Sequence, residues 1–172
     1  MGQSGKKCLA IYYFCNQLAG RSDMASFTGE FECKLDAKGR LVLPSKMKAL
    51  LPESLGQEMM LRKGLEPCLE LIPMVEVKKD HSKLASLDDT DDEVRFFKRS
   101  FFRRESPVEL DATGRFVISK TMIRHAKLEK EAIVIGIGTK IEIWNPECYD
   151  EFMGKEEEKF SDLNKKFLGR SA

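Results

Sequence analysis

Very little in this sequence points to a membrane, a metal or a disulfide framework. No apolar run approaches the ~18–20 residues needed to span a bilayer. The most apolar stretch, Cys8 to Phe14, follows Lys6 and Lys7 and precedes Leu18-Ala19-Gly20, which are the parts of a short secretory signal. That stretch is short and rich in Tyr and Cys, and Met24 opens a segment of different character. Residues 1–23 are therefore read as an N-terminal extension outside the core. The five cysteines are odd in number and form no C-x-x-C pair, which supports neither a disulfide framework nor a zinc site. A reducing cytoplasm is the expected home. His81 and His125 are isolated, and no metal or cofactor is expected.

An excess of one charge is also missing: 29 Lys and Arg face 28 Asp and Glu. A protein that coats nucleic acid by bulk electrostatics carries a basic excess. Without residues 1–23 the balance is 26 basic against 27 acidic side chains. Any nucleic-acid role must then rest on local basic groups, on repetition of a unit, or on both.

What the chain does have is one unit written twice. Residues 35–43 read Leu-Asp-Ala-Lys-Gly-Arg-Leu-Val-Leu, and residues 110–118 read Leu-Asp-Ala-Thr-Gly-Arg-Phe-Val-Ile, with six of nine positions identical at an offset of 75. The match continues through Met47 with Met122, Leu55 with Leu128, and Leu69-Glu70-Leu71 with Ile141-Glu142-Ile143. In each copy Asp36 or Asp111 opens a tight turn, because its carboxylate can accept backbone N–H groups two residues on. Gly39 or Gly114 suits the positive-φ position that closes a short hairpin loop. The return strands Leu41-Val42-Leu43 and Phe116-Val117-Ile118 are apolar throughout, which predicts burial on both faces. Short helices follow, with Ser45 and Ser119 as caps. Each unit then closes with a strand pair: Met59–Leu61 with Cys68–Ile72, and Ile133–Ile137 with Lys140–Trp144.

Four short strands and one helix in roughly 45 residues make too small a core to stand alone. Two copies packing around one another would form a single pseudo-symmetric β-domain. The expected organisation is a first repeat over 24–73, a helical insert over 74–105, a second repeat over 106–145 and a C-terminal helix over 146–172. In the insert, Val75–Leu87 reads as one helix. Thr90-Asp91-Asp92-Glu93 reads as a capping box for a second, whose Val94, Phe97 and Phe101 form an apolar stripe widened by Phe96 and Phe102. At the C-terminus Asn145 caps, Pro146 sits in the first turn, and Tyr149, Met153, Phe160, Leu163 and Phe167 make an apolar face that needs a partner.

The chemistry available is that of arginine at a projecting turn. Its planar fork of donors suits phosphate oxygens and pairs bidentately with guanine O6 and N7. Arg40 and Arg115 are the candidate DNA contacts; the alternative is that each only pairs with Asp36 or Asp111 across its turn, and the two roles can coexist. Lys38, Lys46 and Lys48 are candidate phosphate contacts, which position without specifying. The basic run Arg95–Arg104 is read as the solvated back of a helix whose Phe residues face the core, with Arg99, Arg103 and Arg104 left open as phosphate contacts. Gly136-Ile137-Gly138-Thr139-Lys140 lacks the spacing of a nucleotide loop. The acidic pairs Asp88-Asp89 and Asp91-Asp92 fit a loop and a helix start. No catalytic constellation emerges, and the chain is not expected to be an enzyme.

The two Asp-x-x-Gly-Arg turns, Phe27-x-Gly29-Glu30 after Met24, and Ile141-Glu142-Ile143-Trp144 together resemble the MraZ family, which is related to the AbrB and SpoVT regulators. The resemblance covers roughly residues 24–152. It implies a mainly β fold with helices, in which two swapped-hairpin AbrB-type units form one pseudo-symmetric double-split β-barrel. It also implies a cytoplasmic, nucleoid-associated transcription regulator that binds double-stranded DNA at direct repeats in the promoter of the division and cell-wall gene cluster, and that assembles into a ring-like homo-oligomer. On the family pattern Asp36, Arg40, Asp111 and Arg115 are the functional signature. The second repeat departs from the first in Thr113 for Lys38 and Ser119 for Pro44, so its turn carries one positive charge fewer. Two other readings stand beside this one: a structural or protein-interaction oligomer module, and an AbrB-like antitoxin.

Overall fold

A computed structural model describes residues 26–51, 58–156 and 159–169. The expectations for residues 1–23 and for Leu55 lie outside the described residues. The first repeat supplies β1 (Phe27–Lys34), β2 (Arg40–Val42), α1 (Ser45–Lys48), β3 (Glu58–Lys63) and β4 (Cys68–Pro73). The insert is α2 (Met74–Ala85) and α3 (Asp92–Phe102). The second repeat supplies β5 (Glu105–Glu109), β6 (Arg115–Val117), α4 (Lys120–His125), β7 (Glu131–Gly138) and β8 (Ile141–Trp144). Helices α5 (Pro146–Glu156) and α6 (Phe160–Leu168) end the described chain.

The fold is mixed α and β. An antiparallel six-stranded sheet runs in the order β1-β7-β8-β4-β3-β5, and a two-stranded ribbon pairs β2 with β6. Exchanging the repeats, β1 for β5 and so on, turns the sheet order into its own reverse, which is the pseudo-two-fold that the duplication implies. The lead strands are exchanged between repeats: β1 pairs along its length with β7, and β5 with β3. Each local hairpin is therefore confined to its turn, and the first is marked by a single bridge between Leu35 and Leu41. A unit too small to fill a core alone shares one instead. Leu41, Leu43 and Met47 pack in one buried cluster with their second-repeat counterparts Phe116, Ile118 and Met122, and with Leu69, Leu71, Ile141 and Ile143 of the central strands.

Four local expectations need correction. The return strands are not buried on both faces: Leu41, Leu43, Phe116 and Ile118 point inward while Val42 and Val117 are exposed. A two-stranded ribbon has only one face on the core, so its side chains alternate. Ser45 and Ser119 make no side-chain cap to their helices, which are entered in extended conformation from Pro44 and Ser119; the Ser119 hydroxyl bonds Thr121 instead. The α3 cap is Asp91 rather than Thr90: the Thr90 N–H is already held by Asp88, and the Asp91 carboxylate accepts from Glu93 N at 2.8 Å. The Phe stripe of α3 does not face the core, since α3 buries no residue and Phe96, Phe97 and Phe102 are exposed. The shared sheet core closes without α3, which is held at its end by Phe101 beneath the Arg62 guanidinium, 4.5 Å from the ring centroid.

The Asn145 cap is present, with Cys148 N donating to its side-chain oxygen at 3.1 Å. The C-terminal apolar face is buried only at Tyr149; Met153, Phe160, Leu163 and Phe167 are exposed.

Candidate nucleic-acid interface

Each repeated turn is built by its aspartate. Asp36 Oδ1 accepts from Lys38 N at 2.8 Å and Arg40 N at 3.0 Å, and Asp111 Oδ1 accepts from Thr113 N at 2.8 Å and Arg115 N at 2.9 Å. Gly39 and Gly114 close the loops at φ of +73° and +81°, where an L side chain is strained. These bonds favour the charged carboxylate, so both pKa values fall below the usual range. For Asp36 the Arg40 backbone bond leads. For Asp111 the Thr113 hydroxyl bond leads, an interaction the first turn lacks because Lys38 stands there.

The second carboxylate oxygen orients the arginine. Arg40 Nε donates to Asp36 Oδ2 at 2.6 Å, and Arg115 Nε to Asp111 Oδ2 at 3.1 Å. Pairing across the turn and availability for a ligand are thus compatible. The aspartate takes only the Nε edge, and among the described residues no hydrogen bond engages the Nη groups of either arginine. Both side chains are about a third exposed, at 36% and 37%.

The ribbon brings the two turns together. Arg40 stands across from Val117, and Arg115 across from Val42, so all four side chains share the outer face. The two arginines are diagonal neighbours about 7–8 Å apart at Cα. Each turn is also clamped by the other repeat: Leu43 N donates to Gly114 O at 2.9 Å and Ile118 N to Gly39 O at 2.8 Å. The Ile123 side chain of α4 packs over Gly39, and its first-repeat counterpart Lys48 packs over Gly114.

The expected lysines fall in different places. Lys38 and Lys46 are exposed on the turn and on α1, with Lys46 Nζ 6.0 Å from the Phe31 ring centroid. Lys48 is half-buried, and its ammonium donates to the Ala112 carbonyl in the second turn. Sequence reasoning missed Val42 and Val117 as surface residues, because a three-residue strand is too short to show alternation.

Several other polar groups make contacts within the fold, while Arg99 and Arg103 are exposed on and just after α3. Glu105 accepts from Arg62 at 2.7 Å and meets His81 Nε2 at 2.8 Å, joining β3, β5 and α2. Arg104 donates to the Lys63 and Gly64 carbonyls. Gly136 to Gly138 end β7, and the tight β7–β8 turn at Thr139-Lys140 is closed by Ile137 N to Lys140 O at 3.0 Å. Lys98 Nζ holds Asp89 at 2.6 Å in the loop before α3. Among the described residues no group of three His, Cys, Asp or Glu could hold a metal, and no helix is long and apolar enough to cross a membrane.

Fold and surface define an internally duplicated, strand-exchanged protein whose distinctive exposed chemistry is a short ribbon flanked by two arginine-bearing turns. The family model described as "MraZ protein, putative antitoxin-like" matches it twice, over residues 26–100 and 101–171. The chain is 41% identical over 145 residues to a "Transcriptional regulator MraZ" of Cytophaga hutchinsonii, covering 84% of this chain and 96% of that protein. It is 38% identical over 130 residues to the protein of that name in Acetivibrio thermocellus, covering 76% and 88%. With the one in Lactobacillus delbrueckii subsp. bulgaricus it shares 36% over 137 residues, covering 80% and 93%. The chain belongs to the MraZ family.

Proposed function

We propose that this chain is a non-enzymatic transcription regulator that binds double-stranded DNA through the β2·β6 ribbon and its two turns. The observation that carries this reading is the shared outer face of Arg40 and Arg115, each oriented by an aspartate through Nε with its terminal nitrogens unengaged among the described residues. A two-stranded ribbon fits a major groove about 12 Å wide. Arg40 and Arg115 read base edges or phosphates there, while Lys38 and Lys46 contact flanking phosphates. Lys48 holds the second turn and has further ammonium donors for phosphate. Asp36, Gly39, Asp111 and Gly114 fix the turn geometry and do not touch the anionic ligand.

The near-neutral charge of the chain favours register and repetition over bulk attraction. The site is a set of short direct repeats in the promoter of the division and cell-wall gene cluster, and a ring-like homo-oligomer engages them together, making each contact after the first effectively intramolecular. Exposed apolar residues on α3 and α6 supply surface for that self-association. The protein acts in the cytoplasm, at the nucleoid. The tests are selection of bound sequences from random duplexes, then titration of the selected duplex across salt concentrations. The reading expects repeated motifs at fixed spacing, a light-scattering mass above that of one chain, and a slope that flattens by about one when Lys46 becomes Ala. A pure scaffold would ignore duplex altogether.

A further inference from the structure

Beside the two arginines stand two apolar side chains that the fold leaves half-exposed. Val42 and Val117 are 49% and 57% exposed on the outer face of the ribbon. Val42 faces Arg115 across the ribbon, and Val117 faces Arg40. The backbone bonds that join Leu43 to Gly114 and Ile118 to Gly39 fix the alternation of the ladder. Arg40·Val117 and Val42·Arg115 are therefore pairs without mutual hydrogen bonds, in which Cα atoms lie about 4.5 Å apart and side chains come closest. Each arginine stem leaves the ribbon beside a valine. The two repeats differ at the inward positions, Leu41 against Phe116 and Leu43 against Ile118, yet both place valine at the outward one.

Resting on the proposal that this face contacts DNA, we infer that Val42 and Val117 recognise thymine, each packing on the C5-methyl of a base near the contact made by its paired arginine. In the major groove the thymine methyl is the one apolar group that a base pair offers, and valine has no donor or acceptor with which to read anything else. Bases follow one another at about 3.4 Å along a strand. The cross-ribbon Cβ spacing of about 4.5–5.5 Å thus places the thymine one or two base steps from the arginine contact. The inference names a composition for the operator: thymine beside each arginine-contacted position.

The experiment uses the full chain and the duplex selected from random DNA, prepared with thymine and again with deoxyuridine, which removes the methyl and keeps the base pairing. At one fixed salt concentration, the deoxyuridine duplex should bind the parent more weakly by about fourfold for each contacted methyl. Val42→Ala and Val117→Ala together should bind the two duplexes nearly alike. Both valines are surface residues, and the comparison of duplexes on the parent protein needs no variant. Equal affinity of the parent for the two duplexes would overturn the inference, as would a Val42→Ala, Val117→Ala protein that keeps the full preference for thymine. Arg40→Ala and Arg115→Ala on the same duplex separate the two levels. If they weaken binding and the methyl has no effect, only the thymine inference fails; if they bind as the parent does, the underlying reading fails too.

Discussion

Arg40 of the first repeat stands directly across the β2·β6 ribbon from Val117 of the second. The duplication therefore builds one surface, not two separate beads. Strand exit bonds to Gly39 and Gly114 tie each turn to the other repeat, so a change at either turn is felt across the ribbon.

Gly39→Ala and Gly114→Ala separate backbone strain from crowding. Both alanines would occupy the left-handed region, at a cost of about 1–2 kcal/mol each. At Gly39 the new Cβ would also lie 3.0 Å from the Ile118 carbonyl oxygen, whereas at Gly114 it meets the flexible Lys48 stem at 3.0 Å. Urea unfolding should show the larger loss for Gly39→Ala. Gly136→Ala should exceed both, because its Cβ would sit 2.5 Å from the Phe27–Thr28 backbone of the neighbouring strand β1.

Acid should loosen the two turns. The folded pKa values of Asp36 and Asp111 are both lowered, so their stabilisation is complete above the unfolded value of about 3.9 and is lost as pH falls through the folded values. Thr113→Ala removes the hydroxyl bond that leads the Asp111 shift. Carboxyl-carbon NMR should then show Asp111 titrating at higher pH than in the parent, with Asp36 unmoved.

Helix α5 is tied to the first strand by Tyr149, whose hydroxyl donates to Glu30 Oε2 at 2.8 Å. Burial, then this bond, pushes the phenol up to about 12. Stability from the neutral phenol is complete below the unfolded value of about 10 and declines as pH rises toward 12. Ultraviolet titration should find a late-titrating tyrosine that is lost in Tyr149→Phe. That variant should lose about 1 kcal/mol, read as a melting shift of a few degrees.

The local chemistry of the turns was legible in the sequence, because Asp36, Gly39 and Arg40 act within five residues and recur intact in the second copy. The position of α2 was legible as well: Met74–Ala85 lies within two residues of the Val75–Leu87 span read from the sequence, whereas the single C-terminal helix expected over 146–172 is two helices, α5 and α6. Partnership was not. That β1 pairs with β7 and β2 with β6 is set by long-range register, which no local pattern encodes, and the exchange was available only through the family resemblance. The same gap hid the outward valines and the Arg62–Glu105–His81 network, whose members come from three elements far apart in the chain. The α3 phenylalanines show the converse: a helical apolar stripe signals a face that wants cover, not that this chain's core supplies it.

The central claim is that both turns of one chain engage DNA, and equilibrium affinity of the full chain for its selected duplex tests it most directly. Arg40→Ala and Arg115→Ala, each shown by melting to be folded, should each weaken binding by roughly five- to 150-fold, the range of about 1–3 kcal/mol for a bidentate arginine contact. Parent-like affinity in either variant would contradict the account.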